Sequence, residues 1–422
     1  MQLNKDNDSF EILKFIFALP VRPEAEHHIS NMQQVLLLIS AIFLCIYCIL
    51  IMYYRQSWVS IPDFEFQLLN FKPATKISVI IPARNEEQNI KACLNSLLAQ
   101  SYPAHLFEVL VVDDHSTDNT AAMVLNYRQQ NIKLISLKDF VAANAINSYK
   151  KKAIEIAIQQ STGELIVTTD ADCIVPKNWL QTIAAFYEEK NPAFIVMPVA
   201  INCSSRFIEM FQAVDFMTLQ GITGASVHKK MHSMCNGANL AYSKKAFNKV
   251  NGFAGIDIIA SGDDMLLMHK IYKQNPNAVL FLQSKEVIVQ TQPVKTVKEF
   301  FNQRIRWASK ADKYDDKRIF VVLLVVYLFN FLLLALPISA CFNNVEYSMF
   351  NIQYSTLLIW LLLLCLKTIT ELLFLYPVAK FFNKQRLLWL FPVMQPFHIV
   401  YTVIAGWLGK FGSYKWKDRN VK

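Results

Sequence analysis

The feature that most limits how this chain can fold is a set of long apolar runs near its two ends. Residues 34–54, "QVLLLISAIFLCIYCILIMYY", hold no charged side chain. They match the roughly 20 residues that cross a bilayer core. Residues 319–341 and 357–378 are similar, although the latter carry Lys367 and Glu371. A fourth run, 387–409, is interrupted by Pro392, Gln395, Pro396 and His398. It is expected to be a broken transmembrane, re-entrant or interfacial segment, read here as a helical pair that returns the tail to the side it came from. The first two runs bracket about 260 residues of mixed polarity, enough for a domain with its own core, and the chemistry is expected there. Ahead of the first run, within residues 1–33, "FEILKFIFALP" is too short to cross and suits the interface. The first run starts too far in for a cleavable signal and is expected to remain as an anchor.

The formal charge of +9 would suit nucleic acid, but the basic residues lie beside the apolar runs. Lys310, Lys313, Lys317 and Arg318 precede the second, and Lys410, Lys415, Lys417, Arg419 and Lys422 occupy the tail, 410–422. That placement fits anionic headgroups and excludes nucleic acid as a partner. The eight cysteines are scattered, with Cys45 and Cys48 inside an apolar run, so neither a zinc nor a disulfide framework is expected. His228 and His232 read as part of a loop. Lys367 and Glu371 either pair on one helix face or mark a transport path.

Between the spans the pattern becomes strand, turn, helix. "KISVIIPARNEE" opens with a β-branched run, 77–81, that reads as a strand buried on both faces and ended by Pro82. Apolar residues at Ile90, Cys93, Leu94, Leu97 and Leu98 then follow a helical period. "FEVLVVDDHSTDNT" repeats the design, with strand 109–112, Asp113 and Asp114, and a helix start near Asp118; "GELIVTTDADC" repeats it again with Asp170 and Asp172. Three such units describe an open, mostly parallel α/β sheet whose ligand sits at the carboxyl ends of the strands. Taken singly, Asp113 and Asp114 read as a turn and helix cap, and Asp170-x-Asp172 is a weak motif. Together they offer the carboxylate oxygens that, with a phosphate, suit Mg2+ or Mn2+.

"VIIPARNEE", "VVDDHSTDNT", "TTDADC", "NGANLAYSKKAF", "SGDD" and "QRIRW", in this order over residues 76–307, resemble the family 2 inverting glycosyltransferases. That family includes membrane-bound cellulose, chitin and hyaluronan synthases and ceramide glucosyltransferases. The resemblance implies the GT-A fold, a Rossmann-like nucleotide-sugar-binding domain, flanked here by transmembrane and interfacial helices. It implies a nucleotide sugar donor and a divalent cation, with Asp172 ligating the metal and Asp170 touching the ribose or supporting the ion. Pro82, Glu86, Asp113 and Asp114 would line the nucleotide site, Asp114 accepting from a base N–H as uracil provides. Lys150 or Lys151 would supply positive charge nearby, or simply begin a solvated helix.

For the acceptor hydroxyl the resemblance favours Asp264 as general base, with Asp263 standing where a glutamate is common. Gln303, Arg306 and Trp307 match Q-x-x-R-W; Arg306 would pair with the diphosphate and Trp307 would wall a sugar or lipid, where otherwise they form an interfacial belt. Asn236 to Tyr242 would bring amides to the sugar or acceptor. The expected activity is inverting transfer from a UDP-sugar to a lipid or lipid-linked acceptor, at the cytoplasmic membrane with the domain in the cytosol. A processive polysaccharide synthase and a non-catalytic nucleotide-sugar-binding scaffold are the alternatives.

Overall fold

The computed structural model describes residues 23–65, 72–127, 131–142, 146, 148–231, 234–257, 259, 262–309, 316–342, 346–349, 352–411, 414–416 and 419–421. The interfacial "FEILKFIFALP" stretch, Lys310, Lys313, His232, Lys417 and Lys422 lie outside them. The N-terminal apolar run is one long helix, α1 (Pro23–Ser60).

The chain then enters a seven-stranded sheet. Its strands are β1 (Ile77–Ala83), β2 (Phe107–Asp113), β3 (Ile132–Ser136), β4 (Leu165–Thr168), β5 (Phe194–Val196), β7 (Leu240–Ser243) and β8 (Val279–Phe281), in the order β3-β2-β1-β4-β7-β5-β8. Only β7 runs against its neighbours. A second parallel pair, β6 (Val199–Ile201) with β9 (Val289–Thr291), extends the carboxyl edge. The helices between strands are α2 (Ile90–Leu98), α3 (Thr120–Leu125), α4 (Tyr149–Gln160), α5 (Trp179–Lys190), α6 (Phe207–His228), α7 (Lys244–Lys249), α8 (Met265–Gln274) and α9 (Val297–Ala308). The continuous β-branched runs become strands because both sheet faces are covered: Val79 and Ile81 enter one apolar cluster and Ile80 the other.

Pro82 does not end β1, which continues to Ala83. The register with β4 stops at Ile80, and the Pro82 nitrogen faces that side, where the ladder has already closed; the β2 side stays paired through Ala83. No backbone donor is lost.

Among the described residues four helices are long and apolar enough to cross a membrane: residues Gln34–Ser60 of α1, Lys317–Ala340 of α10 (Lys317–Phe342), Thr356–Phe381, which is α11, and Gln385–Phe411, which includes α12 (Phe391–Phe411). In place of the expected helical pair, the last run is a 3-10 turn, Gln385–Leu390, followed by one helix. Pro392 falls in the first turn of α12, where its missing N–H has no partner to lose, so only Pro396 breaks the ladder. The domain is welded to this bundle. The Ser57 hydroxyl of α1 donates to the Ala225 carbonyl of α6 at 2.6 Å, and Trp58 packs its ring against Phe281 of β8 at 6.0 Å. Lys367 and Glu371 pair on α11 at 2.7 Å, with Gln395 and Tyr47 completing a buried polar cluster. Packed this way they read as a tie between helices and not as a path.

Candidate active site

The carboxyl ends of β1, β2 and β4 all deliver polar groups to one crevice. Two left-handed residues shape its rim: Asn85 (φ 52°) after β1 and His115 (φ 53°) after β2, a backbone that Asn and His tolerate better than most. They interlock across the two loops. The Asn85 carboxamide accepts from the Thr117 N–H at 2.9 Å, and the Asn85 N–H donates to Ser116 Oγ at 3.0 Å. Asp114 is buried, held by His115 Nδ1 at 3.0 Å with Arg84 at 3.8 Å. Asp113 is 6% exposed, and its Oδ1 has no hydrogen-bond partner. An orphaned acceptor beside an oriented carboxylate is what an incoming N–H donor would satisfy.

Asp170 and Asp172 leave β4 as a turn. Lys150, near the start of α4, bridges Asp170 at 2.8 Å and Asp263 at 3.3 Å. Burial works to lower this ammonium, but Asp170, Asp263 and Asp264 outweigh it and hold it well above its ordinary value. Lys151 has the other fate: its ammonium donates to the Ile256 and Ile259 carbonyls at 2.7 and 2.6 Å and pins the segment leading to Asp263. Of the two lysines the sequence leaves open, Lys150 is the one in the crevice.

Asp172 accepts from Thr291 of β9 at 3.2 Å. Burial, with the Asp170 and Glu86 carboxylates nearby, pushes it up to about 6. Asp170 has Lys150 as its partner, and the raised Asp172 beside it marks a place where a hard divalent cation would relieve the crowding of carboxylates. Among the described residues no group of three or more His, Cys, Asp or Glu side chains would hold an ion alone. Glu86, expected on the nucleotide, is thus also close enough to act on Asp172, and its carboxylate accepts from Asn89 at 2.9 Å.

Asp264 caps α8: one oxygen accepts from the Met265 N–H at 2.8 Å and the other from the Gly237 N–H at 3.0 Å. The cap does not exhaust the carboxylate, since each oxygen keeps a second lone pair. Asp263 is tied to Lys150 instead. A Cβ at Gly237 would come within 3.3 Å of Lys150 Nζ and 3.4 Å of Asp263 Oδ2, so this turn passes close beside that ion pair. The rest of "NGANLAY" is scaffold: buried Asn239 donates to the Pro198 and Val287 carbonyls, both at 2.7 Å, and accepts from Trp179.

Gln303, Arg306 and Trp307 sit on α9, which a capping box of Thr296 and Glu299 starts. Trp307 packs on the cluster that contains Ala171 and Cys173, flanking residues of the aspartate turn, and its ring lies 6.1 Å from Phe216. Sequence reasoning passed over two residues beside it, Arg304 and Asp215, which form a buried ion pair at 2.6 Å. The signal was present: an arginine on the apolar face of a helix, and an aspartate inside the apolar helix "FIEMFQAVDFMTLQGITGASVH".

Comparison with known proteins bears on the family and the fold. Residues 78–250 match the model of Glycosyl transferase family 2, and residues 165–405 that of Glycosyl transferase family group 2. The chain is 39% identical over 115 residues to the Staphylococcus aureus poly(ribitol-phosphate) beta-N-acetylglucosaminyltransferase TarS, covering 27% of this chain and 19% of that protein. It is 25% identical over 246 residues to the beta-monoglucosyldiacylglycerol synthase of Synechocystis, covering 56% and 48%. The chain thus spans less than half the length of either relative. A mannosyltransferase of Pyrobaculum calidifontis, solved with GDP-Man and Mn2+, superposes with a TM-score of 0.52 at 18% identity, over 87% of this chain and 99% of that one. The sheet, its crevice and its flanking helices are therefore the GT-A fold expected from the sequence. With the second family model spanning more than half of it, the chain belongs to the family 2 glycosyltransferases.

Proposed function

We propose that this protein is an inverting glycosyltransferase that moves a sugar from a nucleotide sugar, a UDP-sugar, to a lipid hydroxyl at the cytoplasmic face of the membrane. The observation that carries the reading is the charge arrangement of the crevice: the crowded Asp170, Asp172 and Glu86 on one side, the amide-held Asp264 on the other, and Lys150 between them.

Asp113 and Asp114 receive the base N–H, and Pro82 and Glu86 line the nucleotide. Asp172, supported by Asp170, would hold a Mg2+ or Mn2+ ion, which would supply positive charge against the departing diphosphate. Arg306 reaches the same phosphates from α9, and Trp307 walls the sugar or the acceptor. Asp264 takes the proton of the attacking hydroxyl. Its two amide bonds fix the carboxylate in place, whereas Asp263 is engaged by the Lys150 ammonium at 3.3 Å. One base and one face of attack give inversion.

The membrane arrangement supports a lipid acceptor. Both ends of the last apolar stretch touch the domain: Lys384 Nζ lies 3.8 Å from Cys203 Sγ before it, and at its end a Cβ on Gly409 would come within 2.7 Å of Ala308. This favours an interfacial course for α12 over a crossing, leaves the tail on the domain's side, and leaves three spans to hold a polymer channel. The polysaccharide-synthase reading keeps one argument, since one relative is named for a polymer acceptor and the other for a diacylglycerol product.

Incubation of the purified protein with labelled UDP-sugars, Mn2+ and a membrane lipid extract, followed by product mass, tests the reading. A lipid carrying one or a few sugars supports it; long oligosaccharides made without lipid defeat it. An impermeant thiol reagent that labels a cysteine placed at Arg419 in intact cells would refute the cytosolic tail.

A further inference from the structure

The Q-x-x-R-W helix holds a fourth residue whose surroundings the transfer chemistry does not explain. Arg304 is 5% exposed. Its Nη2 donates to Asp215 Oδ2 of α6 at 2.6 Å, and its Nη1 donates to Gln303 Oε1 at 3.0 Å. The guanidinium carbon lies 4.2 Å from the Trp307 ring centroid and 4.7 Å from that of Phe300. One flat cation therefore orients two of the three motif side chains at once. The other Asp215 oxygen accepts from the Tyr401 hydroxyl of α12, and His398 Nε2 lies 4.0 Å from it.

We infer that Arg304 and Asp215 are positioning residues: they fix Trp307 and Gln303 in their working orientation and lock α9 to α6 and to the interfacial helix α12. A guanidinium is required because the task is planar. It must stack on an indole while forking to a carboxylate and a carboxamide, which an ammonium on a flexible stem cannot do together. A buried pair is weak evidence for stability as such, since apolar replacements of equal volume often serve as well. Its geometry, aimed through Trp307 at the acceptor side of the crevice, gives it a different use.

This inference rests on the transfer reading above, and its test separates the two. Full-length protein in lipid nanodiscs carries 5-fluorotryptophan, with the Trp307 resonance assigned by Trp307→Phe; UDP binding is measured in Mn2+, and kcat and KM with a UDP-sugar. Arg304→Lys is expected to leave UDP affinity within about twofold. It should lower kcat roughly 10- to 100-fold, the cost of a misplaced reacting geometry, and should shift or broaden the Trp307 signal. An unmoved Trp307 signal with kcat unchanged per folded molecule overturns the inference, as does a loss expressed wholly in UDP affinity. Should Arg304→Lys not fold, Tyr401→Phe removes one bond to Asp215 and must move the same signal in the same direction, less far; no movement overturns the inference. If the unsubstituted protein neither binds UDP nor transfers sugar, the transfer reading fails, and the Trp307 signal alone decides the tie.

Discussion

Replacing Asp264 by asparagine separates its two roles, helix cap and base. The asparagine carbonyl can still accept from the Met265 N–H, now 2.8 Å away, so the start of α8 survives. Its amide nitrogen then faces the buried Gly237 N–H, at present 3.0 Å from a carboxylate oxygen. Two donors meet, and leaving that amide unsatisfied costs about 1–3 kcal/mol. If the side chain flips to spare Gly237, the cap is lost instead at about 1 kcal/mol. Either way the melting temperature should fall by about 2–12 °C, because 1 kcal/mol moves a domain of this size by roughly 2–4 °C. Transfer should fall far more. A positioned general base contributes about 10²- to 10⁴-fold, equivalent to roughly 3–5 kcal/mol of barrier. Asp263→Asn is the control: it weakens one of the two bridges of Lys150 and leaves the other, so a fall of no more than about tenfold is expected. The assay is single-turnover transfer with UDP binding and melting measured on the same samples. Near-normal transfer by Asp264→Asn, or a larger loss in Asp263→Asn, would refute the assignment of the base.

Asp172→Asn should lower transfer about 10²- to 10³-fold, as removal of leaving-group stabilisation does, and should abolish the Mn2+ dependence of UDP binding. Because Asp172 must be ionised to ligate, Mn2+ affinity should be flat above pH 6 and fall about tenfold per unit below it, since burial with Asp170 and Glu86 raises this group to about 6; a flat titration between pH 5 and 7 would contradict it. The sign for stability is opposite: metal-free protein gains stability as pH falls from about 6 towards the ordinary 3.8. Glu108 behaves in the reverse sense. Burial works to raise it, but bonds from Thr162, Lys133 and Ser78 hold it at about 2. The stability it supplies is full above 4.5 and is lost as pH falls towards 2, and Glu108→Gln should cost about 2 kcal/mol at neutral pH, read by thermal melting.

What could be read in the sequence is what local chemistry dictates. Runs such as "ISVII" and "VLVV" admit only strands covered on both faces, and acids placed at their carboxyl ends point to one crevice, so β1, β2, β4 and their aspartates were legible. Pro82 was misread as a terminator because the outcome depended on where β4 stops pairing, a fact of tertiary register that the local run does not contain. The choice between Lys150 and Lys151 was equally hidden: adjacent residues on one helix point about 100° apart, and only the packing of α4 decides which one meets Asp170. Arg304 escaped because Q-x-x-R-W treats its position as free. Its partner lies 89 residues earlier in the chain, in a helix whose single aspartate looks like an exception until the fold supplies the arginine.

The anchoring also constrains how an acceptor reaches Asp264. The last turns of α1 are part of the domain's own core, with Tyr54 and Trp58 buried and Ser57 bonded to α6. α6 is held in turn to α9 and α12 through Asp215. Among the described residues these contacts tie α1, α9 and α12 directly to the domain through α6. On the proposed reading, such a site meets its acceptor where the anchor holds it, and a lipid would present its hydroxyl there without leaving the membrane. A growing polymer would need a path through α1, α10 and α11, where the charged side chains Lys367 and Glu371 are already bound to each other and to Tyr47 and Gln395. The ties between domain and bundle thus argue for a membrane-borne acceptor.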